Sequence, residues 1–136
     1  MDERLFLDTN VLVRHITGDH PEQSPRARAV IRAIEAGERT VWTSHLVIAE
    51  VVFVLGGPVY GLDRDEIARA LRLLIGLPGI KVARKPVLRA ALGLYATHRA
   101  DFIDCYHAAW LRNRGEQRVL TFDEDFETLG LERVQP

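Results

Sequence analysis

Apolar residues in this chain come in short runs broken by polar turns, and the period of each run predicts an element. Glu3-Arg4-Leu5-Phe6-Leu7 stops at Asp8-Thr9-Asn10, three residues that favour turns and helix caps, so a first strand ends there in a polar mouth. Val11 to Ile16 reads as a short helix, closed by Gly18-Asp19-His20-Pro21. Ser24-Pro25 has the form of an N-cap followed by proline at the first helical position, and Ala29, Val30, Ala33 and Ile34 form an apolar stripe up to Gly37, predicting a helix over 24–36. Thr40 to Thr43 reads as a second strand, after which Ser44 caps a helix to Leu55 that Gly56-Gly57-Pro58 ends. Asp63 and Glu66 have capping-box spacing ahead of Ile67, Ala70, Leu71 and Leu74, which recur at helical intervals before Gly76. Ile80 to Arg84 is a predicted third strand, Pro86 opens a helix to about His98, 102–112 is a further helix, and Arg118 to Phe122 is a fourth strand.

Short apolar strands alternating with helices predict an α/β fold whose mostly parallel sheet is covered on both faces. In such sheets ligands bind beyond the carboxyl ends of the strands, so the residues just after strands matter most. A length of 136 residues suits a single domain over 1–136, and 47% hydrophobic with 27% charged residues is the composition of a folded domain, which excludes disorder and fibrous classes. Eighteen Lys+Arg against 19 Asp+Glu give a net charge of −1, which excludes global basicity and leaves a local basic patch open. The single Cys105 cannot close an intrachain disulfide, and no basic start followed by an apolar segment is present, so a cytoplasmic location is expected. The longest apolar stretch, Leu46 to Leu55, is interrupted by Glu50 and is too short to span a bilayer, so no membrane association is expected.

The chemistry is in the carboxylates. Asp8 and Asp123 each follow a predicted strand directly, which sends both to the same end of a parallel sheet, although either could also cap the next helix or turn. Glu50 stands in a helix that is apolar on every face, and such a helix is expected to be buried; a cation or proton must then compensate the charge, unless an arginine pairs with it or its face opens to solvent. Asp101 and Asp104 are spaced i, i+3 at the start of a helix, where their repulsion calls for something positive; the helix N-terminus serves Asp101 as a cap more readily than Asp104. Acids from four separate elements brought into one pocket are tolerated when a divalent metal supplies the missing charge, and all-oxygen ligation suits Mg²⁺ or Mn²⁺. Hydrolysis of phosphodiesters is the matching chemistry. Phosphate-loop and dinucleotide fingerprints are missing, Cys105 and His107 have no second pair for zinc and read as packed helix residues, and Ser44-His45 lacks a nucleophile elbow.

Leu5-Phe6-Leu7-Asp8-Thr9-Asn10-Val11-Leu12-Val13-Arg14, the helical Glu50, Asp101-Phe102-Ile103-Asp104-Cys105-Tyr106-His107-Ala108-Ala109 and Leu120-Thr121-Phe122-Asp123-Glu124-Asp125-Phe126 follow one another in the order of PIN-domain signatures. With the Gly18 to Gln23 segment and the Tyr60 to Ile67 helix start, the chain resembles the VapC-type toxins of bacterial toxin–antitoxin pairs over nearly its whole length. The resemblance implies a three-layer α/β/α sandwich around a central, mostly parallel sheet of about five strands. It also implies a Mg²⁺- or Mn²⁺-dependent endoribonuclease, a homodimer, and a hetero-oligomer with a cognate VapB-like antitoxin that inhibits it. The metal-binding and catalytic carboxylates then fall on Asp8, Glu50, Asp104 and Asp123, with Asp104 matched as third acid by the Ala108-Ala109 pair that follows it. Thr9, Asn10, Ser44, Asp101 and Thr121 match positions around those acids, and Asp125 is close enough to Asp123 for either to be the inward-pointing fourth acid. Cys105 stands where a smaller residue such as alanine is expected. Arg14, Arg112 and Arg114, with the segments Arg84-Lys85-Arg89 and Arg118, are the candidate contacts to RNA phosphates.

Three other readings compete. An inactive binding member of the same fold has no need of a costly like-charge cluster. A phospho-acceptor receiver module resembles this layout, but receivers have a paired acid at the first strand end and a lysine after the last strand, whereas the lysines here are Lys81 and Lys85. A HAD-type phosphatase has a second Asp two residues after the first, where this chain has Asn10.

Overall fold

A computed structural model describes residues 5–136; Glu3 and Arg4 of the predicted first strand lie outside the described residues. The elements run β1 (Leu5–Phe6), α1 (Thr9–Thr17), α2 (Gln23–Glu35), β2 (Val41–Trp42), α3 (His45–Gly56), α4 (Arg64–Ile75), β3 (Ile80–Lys81), α5 (Lys85–Thr97), α6 (Phe102–Asn113), β4 (Arg118–Leu120), α7 (Asp125–Thr128) and β5 (Glu132–Val134). Among the described residues β1, β2 and β3 pair side by side, and β4 pairs with β5, every pairing parallel. The register sets Leu5 against Val41 and Val41 against Ile80, and the Thr43 hydroxyl donates to the Leu7 carbonyl at 2.9 Å, tying the carboxyl ends of β1 and β2. β5 and the one-turn α7 are the elements that the apolar pattern did not mark, because Val134 and Phe126 are the single apolar residue in each.

Helices supply most of the core. Leu12, Ile31, Ile48, Val51, Leu55, Ile67, Leu71, Ile75, Leu88 and Leu92 are almost fully buried, and each such side chain contributes roughly 1.5–3 kcal/mol by leaving water. α5 packs along α6 and α4, and α1 packs on α2 and α3. No helix among the described residues is long and apolar enough to cross a membrane.

Three capping expectations change. α2 begins at Gln23, so Ser24 lies inside its first turn; the cap is instead the imidazole of His20, whose Nδ1 accepts from the backbone N–H of Gln23 at 3.0 Å and of Glu22 at 3.3 Å. The buried Ser24 hydroxyl turns back to accept from His20 N–H at 3.1 Å. Asp63 and Asp101 occupy N-cap positions without a side-chain capping bond, so the capping box at α4 and the Asp101 cap at α6 are not made. Ser44 does cap α3, accepting from Val47 N–H at 3.2 Å.

The largest departure concerns α3. Leu46 and Phe53 are each 81% exposed, and Glu50 between them is exposed as well. Positions 46, 50 and 53 share one helical face by their i, i+4, i+7 spacing, and that face stands outside the core while Val47, Ile48, Val51, Val52 and Leu55 fill it. A helix with apolar residues all round can be buried on any side; which side is covered depends on what packs there.

Candidate active site

Each acid is delivered by the end of an element. Asp8 leaves β1 in an extended conformation and caps α1, its Oδ1 accepting from Thr9 N–H at 2.8 Å. Asp123 follows β4 in a tight turn: its own N–H donates to the Thr121 hydroxyl at 2.9 Å, and its Oδ1 accepts from Asp125 N–H at 2.9 Å. Both therefore do the capping work that their positions allow, with one carboxylate oxygen each left over for another partner. Thr121 acts on Asp123 through this turn, and Thr9 acts on Asp8 through its backbone.

Asp104, Asp123 and Asp125 offer carboxylate oxygens that all lie within 4.8 Å of one another. Asp104 is half-buried, one turn into α6, and its carboxyl is held above the usual range by burial first and then by the charges of Asp123, Asp101 and Asp125, with His107 opposing. No lysine or arginine forms an ion pair with these three among the described residues. Converging oxygens, like charge and no paired cation are the donor set that a hard divalent cation fits. Asp101, Asp104 and Asp123 also line a cavity of about 700 Å³ whose far wall is α3, through Ala49, Val52 and Phe53.

Asp8 and Glu50 lie outside that group of converging oxygens among the described residues. They line a hollow of about 250 Å³ with Thr9, Asn10, Arg14 and Tyr60. Asp8 and Glu50 share this hollow, Asp104 and Asp123 share the larger cavity with Asp125 close by, and α3 contributes to the walls of both. Glu50 faces solvent, so its charge needs no buried partner, contrary to the burial expected from its neighbours.

Second-tier residues divide in the same way. Asn10 is exposed at the rim of the Asp8 hollow, and Ser44 is committed to the α3 cap. His45 is held at both ring nitrogens, by the Tyr106 hydroxyl at 2.6 Å and the Ala83 carbonyl at 2.5 Å, so Nε2 carries the proton donated to Ala83 and Nδ1 accepts from Tyr106. Neither member of Ser44-His45 is available as nucleophile or base. Cys105 is packed as expected, its thiol donating to the Ala100 carbonyl and pushed up to about 11 chiefly by burial, whereas His107 is exposed rather than packed.

The candidate RNA contacts carry internal partners. Arg14 donates to Gln23, Tyr60 and Asp19, Arg112 donates to the Leu129 carbonyl, and Arg114 pairs with Glu116 at 3.5 Å while lying over the Trp110 ring. Arg118 lies 3.7 Å from Glu132. Lys85 donates to the Leu77 carbonyl, and its burial beside Lys81 and Arg89 lowers its pKa.

Arg64 is the residue that the sequence reading passed over. Its guanidinium lies 3.8 Å from the Tyr95 ring centroid and donates to the carbonyls of Tyr95 and Ala100, fastening α4 to the turn that launches α6. That turn sets where Asp101 and Asp104 begin. The only signal in the sequence is an arginine at a helix start, which is too common to mark it.

Residues 5–131 match the PIN domain family, and the chain belongs to that family of nucleases. Among solved structures it is similar to VapC20 of Mycobacterium tuberculosis, a sarcin-ricin loop cleaving toxin, at 19% identity over 97% of this chain and 99% of that one, with a TM-score of 0.40. The curated proteins contain no match.

Proposed function

We propose that this chain is a single nuclease domain that hydrolyses RNA phosphodiester bonds with the help of Mg²⁺ or Mn²⁺, and that it is the toxin of a toxin–antitoxin pair. The observation that carries this reading is the group Asp104, Asp123 and Asp125, three carboxylates converging after β4 and at the start of α6 without an ion-paired Lys or Arg among the described residues. These residues would hold the ion, with Asp8 and Glu50, which line a hollow that α3 also walls, completing the acidic surface. A divalent ion bound there supplies charge for the scissile phosphate and lowers the pKa of an attacking water.

The chain's own residues do the rest. Asp123, whose N–H donates to the Thr121 hydroxyl and whose Oδ1 accepts from Asp125 N–H, keeps its free oxygen in a fixed direction. Asp104 has a carboxyl held above the usual range by burial and by the neighbouring carboxylates, so proton and metal would compete for it. Both carboxylates Asp123 and Asp125 belong to the group, so the fourth acid is read as a pair that shares the task. Homodimer formation and capture by a VapB-like antitoxin are supported by the large apolar side chains left exposed, Leu46, Phe53 and Val59 on and just after α3, and Phe122 after β4. A cytoplasmic site of action follows from that reading.

Cleavage of total cellular RNA by the purified chain, with Mn²⁺, with Mg²⁺ and with EDTA, tests the proposal. Metal-dependent cutting that is lost in Asp104→Asn and weakened in Glu50→Gln is the expected result; cutting that persists in EDTA removes the metal, and no cutting with either ion removes the nuclease.

A further inference from the structure

Beside the Asp8–Glu50 hollow lies a second one of about 260 Å³ between α1 and α2, and the two share Asn10 and Arg14 as a common wall. Its character is opposite. The lining combines apolar Val11 and Val30 with Asn10, Gln23, Arg14 and Arg26, two cations and no carboxylate. An apolar floor with amide and guanidinium groups around it suits a flat heterocycle with an anionic group attached, and the carboxylate-lined hollow next door suits the metal-dependent cut.

Arg14 is not a loose surface arginine. Its Nε donates to Gln23 Oε1 at 2.9 Å, and its Nη1 donates to the Tyr60 hydroxyl at 3.1 Å and reaches Asp19 Oδ1 at 3.5 Å. Tyr60 in turn donates to Asp19 Oδ2 at 2.8 Å, and Thr17 donates to Asp19 Oδ1 at 2.7 Å, so the anchor is itself anchored. Nη2 has no partner among the described residues. A guanidinium pinned on two of its three nitrogens keeps one edge for a ligand and loses little entropy when a phosphate arrives.

We propose that the α1–α2 hollow is a nucleotide subsite for the RNA residue next to the scissile phosphate, with Arg14 as the phosphate contact on the wall between subsite and acids, and Tyr60, Asp19 and Gln23 as the residues that position it. This rests on the nuclease reading above and extends it to how the strand is held. An acidic protein segment is the competing occupant; the continuity of this hollow with the acid hollow favours the substrate.

The test uses the full chain and a short single-stranded RNA carrying a cut site mapped in total RNA, with Mn²⁺ present. Arg26→Glu is compared with Arg32→Glu, an equal change of charge at another exposed position of α2 outside the hollow. Expected for Arg26→Glu is a KM raised about tenfold with kcat nearly unchanged and a salt slope shallower by about one, while Arg32→Glu stays close to wild type. Tyr60→Phe, which removes one Arg14 anchor, raises KM several-fold while the melting temperature stays within a degree or two. Wild-type cutting with equal KM in Arg26→Glu and Arg32→Glu overturns the subsite and leaves the nuclease standing; that is also what an acidic protein occupant predicts. A wild-type chain that cuts no RNA with Mn²⁺ or Mg²⁺ overturns both.

Discussion

Asp104 concentrates the electrostatic cost of the site. Its folded pKa lies above the usual 3.8 because burial and the carboxylates of Asp123, Asp101 and Asp125 disfavour its charge. Between those two pKa values the folded chain holds more protons than the unfolded one, so stability falls as pH rises through that window and the penalty is complete above it. Asp104→Asn removes the penalty: without metal at pH 7 its melting temperature is expected to exceed wild type by a few degrees, with the difference vanishing toward pH 3. On the proposed function the same variant should cut RNA at least 100-fold more slowly with Mn²⁺, because the ion would lose one of its proposed ligands. A denaturation series over pH in EDTA checks the first outcome, and a lower melting temperature for Asp104→Asn at pH 7 contradicts it.

Helix ends carry the next layer of specification, and they differ in how readable they were. Ser44 is a cap by residue type and position, and Ser44→Ala is expected to cost about 1 kcal/mol, measured by urea denaturation. His20 does the same for α2 through an imidazole nitrogen, a role that no capping preference assigns to histidine. His20→Ala removes the acceptor for Gln23 and Glu22 N–H and is expected to cost about 1 kcal/mol by the same urea denaturation. The central spans of all six long helices and of the first four strands were legible from periodicity and punctuation. The caps at Ser24, Asp63 and Asp101 were not, since residue type shows what can accept a hydrogen bond and the local chain path decides whether it does.

At the scale of the whole molecule, packing leaves little room where loops cross the helical layer. A Cβ on Gly79 would lie 2.8 Å from Ile34 Cγ2 and 2.9 Å from the Arg39 carbonyl oxygen, and a backbone oxygen cannot swing aside. Gly79→Ala is therefore expected to destabilise by about 1–3 kcal/mol, as overpacking does, with a lower melting temperature as the readout. Metal acts in the other sense. An ion that binds the folded chain alone stabilises it by about 2.7 kcal/mol at 100 times its Kd, so Mn²⁺ should raise the melting temperature of wild type and not of Asp104→Asn. A wild-type melting temperature that ignores saturating Mn²⁺ contradicts a preformed site.

The order of strands and helices, and the delivery of Asp8 and Asp123 to strand ends, were already present in the one-dimensional pattern, because periodicity and turn chemistry act within a few residues. The place of Asp104 one turn into a helix was legible for the same reason. The exposure of Glu50 was not, because its nine apolar neighbours from Leu46 to Leu55 determine how oily a helix is and not which of its faces another element covers. Nor was the sharing of one hollow by Asp8 and Glu50, the convergence of Asp104, Asp123 and Asp125, or the pinning of Arg14 by Tyr60 across 46 residues of chain. Those depend on the paths of α3 and its loops through space, which are set by the sum of many long-range contacts rather than by any local run of residues.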